Sequence, residues 1–221
     1  MIPDLSDIFE QYEQLRRQTD ALFDKVARGC PNEVKCHESC SDCCHALFDL
    51  SLVEAMSINQ AFQKAFKYGP ERSAILEKAS AVDRNLTKVK REMYREEKNG
   101  QSVNDIMLKA SELRAPCPLL TEDNRCVLYE QRPVTCRLYG IPLEIGGQSH
   151  VCGSSGFTKG VAYPAVKLAK IQEKLEDLSR QIAERVGSRF DLSDIYVPLS
   201  MALLTKYDDA WLGIGEAKPE D

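Results

Sequence analysis

The stretch Cys36-His37-Glu38-Ser39-Cys40-Ser41-Asp42-Cys43-Cys44 places four thiols within nine residues. Four more follow at Cys117, Cys126, Cys136 and Cys152, within a span of 36, so eight of the nine cysteines fall in two blocks. This is a ligand pattern. Zinc and iron–sulfur clusters both take thiolates from loops whose backbone can fold around the metal. The Cys40-x-x-Cys43 step lets two thiolates reach one metal. Neighbours such as Cys43 and Cys44 rarely sit comfortably on one tetrahedral ion, so either the pair serves two metals or one of them is a bystander. The eight thiols fit two four-cysteine sites, or one site with accessory thiols. His37, His45 and His150 each lie beside a cysteine, which leaves a mixed site open. Cys30 stands alone and reads as a small buried hydrophobe.

The chain has 221 residues, enough for one domain with its own core. Its 43% hydrophobic and 29% charged residues are those of a soluble globular protein. No apolar run approaches the ~20 residues of a membrane span. The acidic start, Met1-Ile2-Pro3-Asp4, lacks the basic and apolar regions of a secretory signal. A cytoplasmic, reducing location is therefore expected, where clustered cysteines are metal or redox groups rather than disulfides. The odd count agrees. With a net charge of −5 and no basic stripe, no nucleic-acid partner is expected, and no membrane partner either. Lys88, Lys90 and Arg91 are followed at once by Glu92, Glu96 and Glu97, as on a solvated helix face.

Outward from the cysteines the chain reads as helix. Leu5, Ile8, Tyr12, Leu15, Thr19, Leu22 and Val26 step by three and four, which is one helical face. Gly29 and Pro31 should end that helix. Ser51 and Glu54 have capping-box spacing, and Ala55, Ile58 or Asn59, Phe62 and Phe66 follow on one side. A third helix is predicted from Pro70 to Lys98, with a stripe at Ile75, Ala79, Val82, Leu86, Val89 and Met93. A short helix is predicted from Ser102 to Arg114. A long one is predicted from Pro164 to Val186, on Leu168, Ile171, Leu175, Leu178 and Ile182, with Gly187 as its cap. Pro198 to Lys206 closes the series.

Residues 115–160 differ. Helical periodicity vanishes, prolines and glycines accumulate, and apolar residues are few, so a metal would organise the segment. Tyr139 to Ile145, the Gly146-Gly147 turn and Ser149 to Val151 suggest a small hairpin. Arg132 and Arg137 bracket Cys136. They either offset a thiolate-rich centre or anchor the loop through carboxylates, and the structural role is slightly favoured. Tyr129 and Tyr139 read as packing residues. No glycine-rich phosphate loop and no Ser/His/Asp signature is present.

Taken with their flanking residues, Cys40-Ser41-Asp42-Cys43-Cys44, Cys117-Pro118-Leu119-Leu120, Arg125 to Glu130 and Arg132 to Tyr139 resemble the CxxCxxCC family of YkgJ-like zinc- or iron-chelating proteins. The resemblance spans about residues 36 to 152. It implies metal ligation by Cys36, Cys40, Cys43, Cys44, Cys117, Cys126 and Cys136, with Cys152 added as the downstream cysteine. The family's first step is Cys-x-x-Cys, whereas three residues separate Cys36 from Cys40 here. Flagellin lysine methylases look similar in this region, which implies a side-chain modifying enzyme as one alternative. Cys36-x3-Cys40-x2-Cys43 also has the spacing of the radical S-adenosylmethionine motif. Asp42 stands where that superfamily has an aromatic, and the alternating strands of its barrel are missing.

The sequence thus predicts a mainly α, bundle-like single domain over residues 1–212. Its cysteine-rich core covers 30–160, with two metal-binding loops converging at one end and a candidate small β-hairpin. An acidic, flexible tail covers 213–221. The predicted function is metal binding through Cys36, Cys40, Cys43, Cys44, Cys117, Cys126, Cys136 and Cys152. The metal is an iron–sulfur cluster (a 4Fe–4S form among them) or iron with a redox or catalytic task; the alternative is a zinc-stabilised binding scaffold. The sequence does not decide whether the protein is an enzyme.

Overall fold

The computed structural model describes residues 1–37, 39–102, 105, 106, 109 and 113–215. Among them the α-helices are α1 (Ser6–Gly29), α2 (Leu52–Ala65), α3 (Pro70–Lys98), α4 (Val134–Leu138), α5 (Leu168–Val186) and α6 (Leu199–Leu204). The strands are short: β1 (Asp49–Ser51), β2 (Leu143–Ile145), β3 (Gln148–His150), β4 (Val166–Lys167) and β5 (Tyr196–Pro198). The protein is mainly α. The helix expected over Ser102 to Arg114 lies largely outside the described residues, as does the tail from 216 on.

The α1 stripe is buried at Leu5, Ile8, Tyr12, Leu15, Thr19 and Val26. Leu22 is the exception, 37% exposed. The inward position in that turn belongs to Phe23, because the steps run 19, 23, 26 rather than 19, 22, 26. Thr19 is tolerated inside because its hydroxyl donates to the Arg16 carbonyl at 2.7 Å. On α5, Ile171, Leu175, Leu178 and Ile182 are buried as their spacing predicts, and Gly187 caps the helix in the left-handed region at φ 62°. The helix starts later than predicted. Pro164 and Ala165 lie in no regular element and Val166–Lys167 form β4, with Val166 paired in parallel to Leu143, so the local proline signal yields to sheet pairing.

The helix α2 is the dividing wall. Leu52, Val53 and Met56 face the cluster formed with α1, α4 and α5. Ala55, Ile58 and Phe62 face a second cluster formed with Ile75 and Ala79 of α3, Ala202 and Leu203 of α6, and Val197 of β5. Beyond Ala79, the α3 stripe at Val82, Leu86, Val89 and Met93 is only half-buried. β1 and β5 pair antiparallel, Leu50 opposite Val197. β2 and β3 form the expected hairpin, with Gly146 and Gly147 at φ 59° and 79° in the turn, a conformation glycine adopts without strain.

Residues 115–160 depart from expectation in two ways. They contain helix α4, which carries Cys136 and starts after Pro133. Their few apolar residues are also not idle. Leu119 and Leu128 insert into the second cluster, and Val134, Leu138 and Ile141 into the first, each 7% exposed or less. The segment is pinned to the helical frame at irregular intervals, which is why no period announces it.

Candidate metal centre

Block one begins where α1 stops. The Cys30 amide bonds the Val26 carbonyl at 2.8 Å, and Glu33 and Val34 bond back to the Cys30 carbonyl, which turns the chain. Cys30 itself is buried, as predicted. A tight turn follows, Cys40 N–H to the His37 carbonyl at 2.9 Å, and then a 3₁₀ turn over Asp42–His45 holds Cys43 and Cys44.

Block two is stitched directly to it. Ala46 pairs antiparallel with Arg114, the Ala115 amide donates to the His45 carbonyl at 3.1 Å, and the Cys117 amide donates to the Cys44 carbonyl at 2.7 Å. The two blocks, 73 residues apart in sequence, therefore meet through backbone. From Cys117 the chain makes a small turn, with Leu120 bridged to Cys126 and Asn124 at φ 59°. Asparagine tolerates that left-handed conformation better than most residues. Cys136 follows on α4. Cys152 is brought in by another loop: its carbonyl accepts from the Ser155 amide at 3.0 Å, and the Gly156 amide donates to the Glu33 carbonyl at 2.7 Å.

These pieces border a cleft of about 820 Å³ that touches Cys36, Cys40, Cys43, Cys44, Cys126, Cys136 and Cys152. Beside it a small apolar cavity of about 60 Å³ is bordered by Cys117 together with Cys43, Cys44, Cys126 and Cys136. All eight cysteines singled out from the sequence thus border two adjoining cavities. Among the described residues, no three Cys, His, Asp or Glu side chains are drawn close enough together to hold an ion as they stand. Side-chain rotation would have to close any centre. The donor chemistry nonetheless fits a soft metal: eight thiols around shared cavities suit zinc or iron–sulfur ligation, not the oxygen cages of magnesium or calcium.

The histidines separate. His37 borders the cleft, with Nδ1 3.3 Å from Ser39 Oγ. His45 Nδ1 lies 3.0 Å from the Ser41 carbonyl and so is turned to its own backbone. His150 is exposed on β3.

The arginines also divide. Arg137 is buried; its Nη1 donates to both Asp20 oxygens at 2.7 and 2.5 Å, its Nε to the Arg132 carbonyl at 2.8 Å, and its Nη2 to the Glu130 carbonyl. Buried Arg16 of α1 reaches the same Glu130 carbonyl and Gln131 Oε1 at 2.8 Å. These two side chains tie the segment before Cys136 to α1, the structural role the sequence favours for Arg137. Arg132 instead borders both cavities, its guanidinium over the Tyr129 ring at 3.6 Å. From there its charge eases ionisation of Cys36, Cys43, Cys126 and Cys136.

Glu54 supports the site from behind. It is buried, and its Oε2 accepts from Ser51 N–H at 3.2 Å and Ser51 Oγ at 2.9 Å, while Oε1 accepts from the Val134 amide at 3.1 Å. One carboxylate therefore joins the start of α2 to the start of α4. Burial raises its pKa, and these hydrogen bonds work against that rise.

Burial makes most of the thiols weak acids. It pushes Cys117 up to about 12, Cys36 and Cys152 up to about 11, and Cys136 well up, with neighbouring thiols adding to the effect in each case; for Cys152 the Asp42 hydrogen bond is the next cause after burial. Cys43 moves the other way because a hydrogen bond with Cys44 favours its thiolate, and Cys44 is raised in turn. A metal cation would replace those protons.

Two residues that the sequence did not mark as site components matter here. Asp42 accepts from Cys152 Sγ at 3.1 Å and pairs with Arg114, which also donates to the Tyr139 hydroxyl at 3.2 Å. Gly140 lies against Cys36: a Cβ at this position would stand 2.0 Å from the Cys36 sulfur. The position needs glycine for close approach. The only local sign was a small residue just after the Cys136 helix.

The chain belongs to the CxxCxxCC family, whose profile, described as "Putative zinc- or iron-chelating domain", matches residues 35–153, more than half of the chain. No curated protein and no solved structure matches it. Among the described residues no helix is long and apolar enough to cross a membrane.

Proposed function

With membership of a zinc- or iron-chelating family as premise, we propose that the protein holds iron through these clustered cysteines, as an iron–sulfur cluster with a redox or catalytic task. The observation that carries this reading is the convergence of eight thiols, from three separated stretches of chain, on two adjoining cavities. Four thiolates satisfy one zinc ion; eight are more than a single structural zinc uses. When bound, a cluster supplies one-electron redox chemistry, or a Lewis-acidic iron if a coordination position stays open.

The chain's own residues would tune that centre. Arg132 places a cation in the wall of the cleft, which favours the thiolates. Leu119, Leu128, Val82 and Leu86 make the inner side apolar and limit water. The 820 Å³ cleft leaves the outer side open to a substrate or an electron partner.

The test is reversible reduction. Protein purified under anaerobic conditions should show visible charge-transfer absorption that bleaches with dithionite, returns on reoxidation and gives a paramagnetic signal in one of the two states. A sample without visible absorption that carries zinc supports the second reading, a zinc-stabilised scaffold. The burial of Cys117 and Cys126 against the second apolar cluster favours that alternative, since a metal there would add to folding stability.

A further inference from the structure

The proposal that follows rests on the metal-binding reading above and concerns how the thiols are shared. Their supports fall into two sets. Cys117, Cys126 and Cys136 are carried by the turn at 117–127 and by α4, and Cys117 is bonded to the backbone of Cys44. With Cys43 and Cys44 they border the small apolar cavity, and Cys117 and Cys126 pack against the second core cluster.

Cys36, Cys40 and Cys152 are carried by other elements: the loop after α1 and the loop at 152–156, joined by the Gly156–Glu33 hydrogen bond. These three share a small cavity of about 10 Å³ that no inner thiol borders. Gly140 admits the Cys36 sulfur to it, and Asp42 holds the Cys152 sulfur at 3.1 Å.

We propose that seven of the eight thiols serve two separate centres: an inner one held by Cys117, Cys126, Cys136 and one of the Cys43–Cys44 pair, and an outer one held by Cys36, Cys40, Cys152 and the Asp42 carboxylate. The donor count closes for both, four each, which is the tetrahedral requirement of zinc and of a cobalt(II) probe. Adjacent thiols do not have to share an ion, since only one of Cys43 and Cys44 is needed inside. The two centres differ in setting. Both border the cleft, but the inner is backed by apolar side chains, while the outer includes the exposed Cys36. The outer ion is therefore the exchangeable one.

The experiment is a cobalt(II) titration of the reduced, metal-free full-length protein, with bound ions counted by equilibrium dialysis and thiolate-to-cobalt absorption recorded. Far-ultraviolet circular dichroism monitors folding. The wild type should bind two ions. Cys36→Ser and Cys152→Ser should each bind one, with the inner absorption intact. Cys117→Ser and Cys126→Ser should each bind the other one alone; two variants per centre guard against a single misfolded protein. Gly140→Ala should lose only the outer ion, and Cys30→Ser should keep both. A wild type that binds one ion, lost alike in Cys36→Ser and Cys117→Ser, overturns the partition and leaves metal binding standing. A folded wild type that binds no cobalt overturns both.

Discussion

Helix α1 and the segment 115–160 are held to the molecule in different ways. α1 lies down along a stripe of buried side chains at helical spacing, Ile8, Tyr12, Leu15, Thr19 and Val26, with Phe23 half-buried among them. The cysteine segment is fixed at isolated points: five apolar plugs, the Arg16 and Arg137 clamp on the Glu130 carbonyl, and the Glu54 carboxylate under α4. A stripe is redundant, so it holds without help. Point anchors leave the backbone between them free to shift, and that is where the thiols sit. The helical frame is thus expected to fold without metal, while the cysteine segment closes fully only around one.

The largest expected effect tests the frame. Ile182→Ala removes a fully buried side chain and should cost about 4 kcal/mol in urea unfolding. The cost should be the same before and after chelation. A much smaller cost in chelated protein would mean that the frame itself depends on metal.

Next, Glu54→Ala strands three donors in a buried place and should cost about 3 kcal/mol. It should also weaken metal retention, because α4 and Cys136 lose their footing. Arg137→Ala should cost about 2 kcal/mol, since Arg16 still holds the Glu130 carbonyl. Hydrogen exchange should rise around 129–137 and stay unchanged in α5. Increased exchange throughout would erase the distinction between the regions.

The smallest effect is the pH dependence of the metal-free protein. Folded Cys36 and Cys152 hold their protons up to about 11 and Cys117 up to about 12, against an ordinary value near 9. As pH rises above about 9, the unfolded chain loses protons that the folded chain keeps, so stability falls between about pH 9 and 12. It is fully present below that window. In metal-loaded protein the thiols are already deprotonated and the fall should be absent. Urea midpoints at about pH 9 and 11, above the range in which the lowered Cys43 acts in the opposite sense, measure the difference with and without metal, and Cys117→Ser should reduce it.

How far the sequence could be read follows the same division. Steps of three and four located α1, α2, α3 and α5, because a stripe repeats its own signal. Leu22 misled only because its neighbour Phe23 serves the same turn. The start of α5 was placed too early because the pairing of Val166 with Leu143 is a long-range contact that no local residue announces. Clustering alone made the eight cysteines visible. The parts that arrange them were hidden. Asp42 and Gly140 act only through Cys152 and Cys36, which come from other stretches of chain, and α4 is too short for periodicity. Point anchors leave no pattern, only chemistry that appears once the chain has folded.

The most direct test of the central claim is to determine iron, zinc and acid-labile sulfide on the full-length protein purified under anaerobic conditions, with a visible spectrum of the same sample. The account predicts coloured protein with iron and sulfide bound. Colourless protein, carrying zinc or no metal, would contradict it.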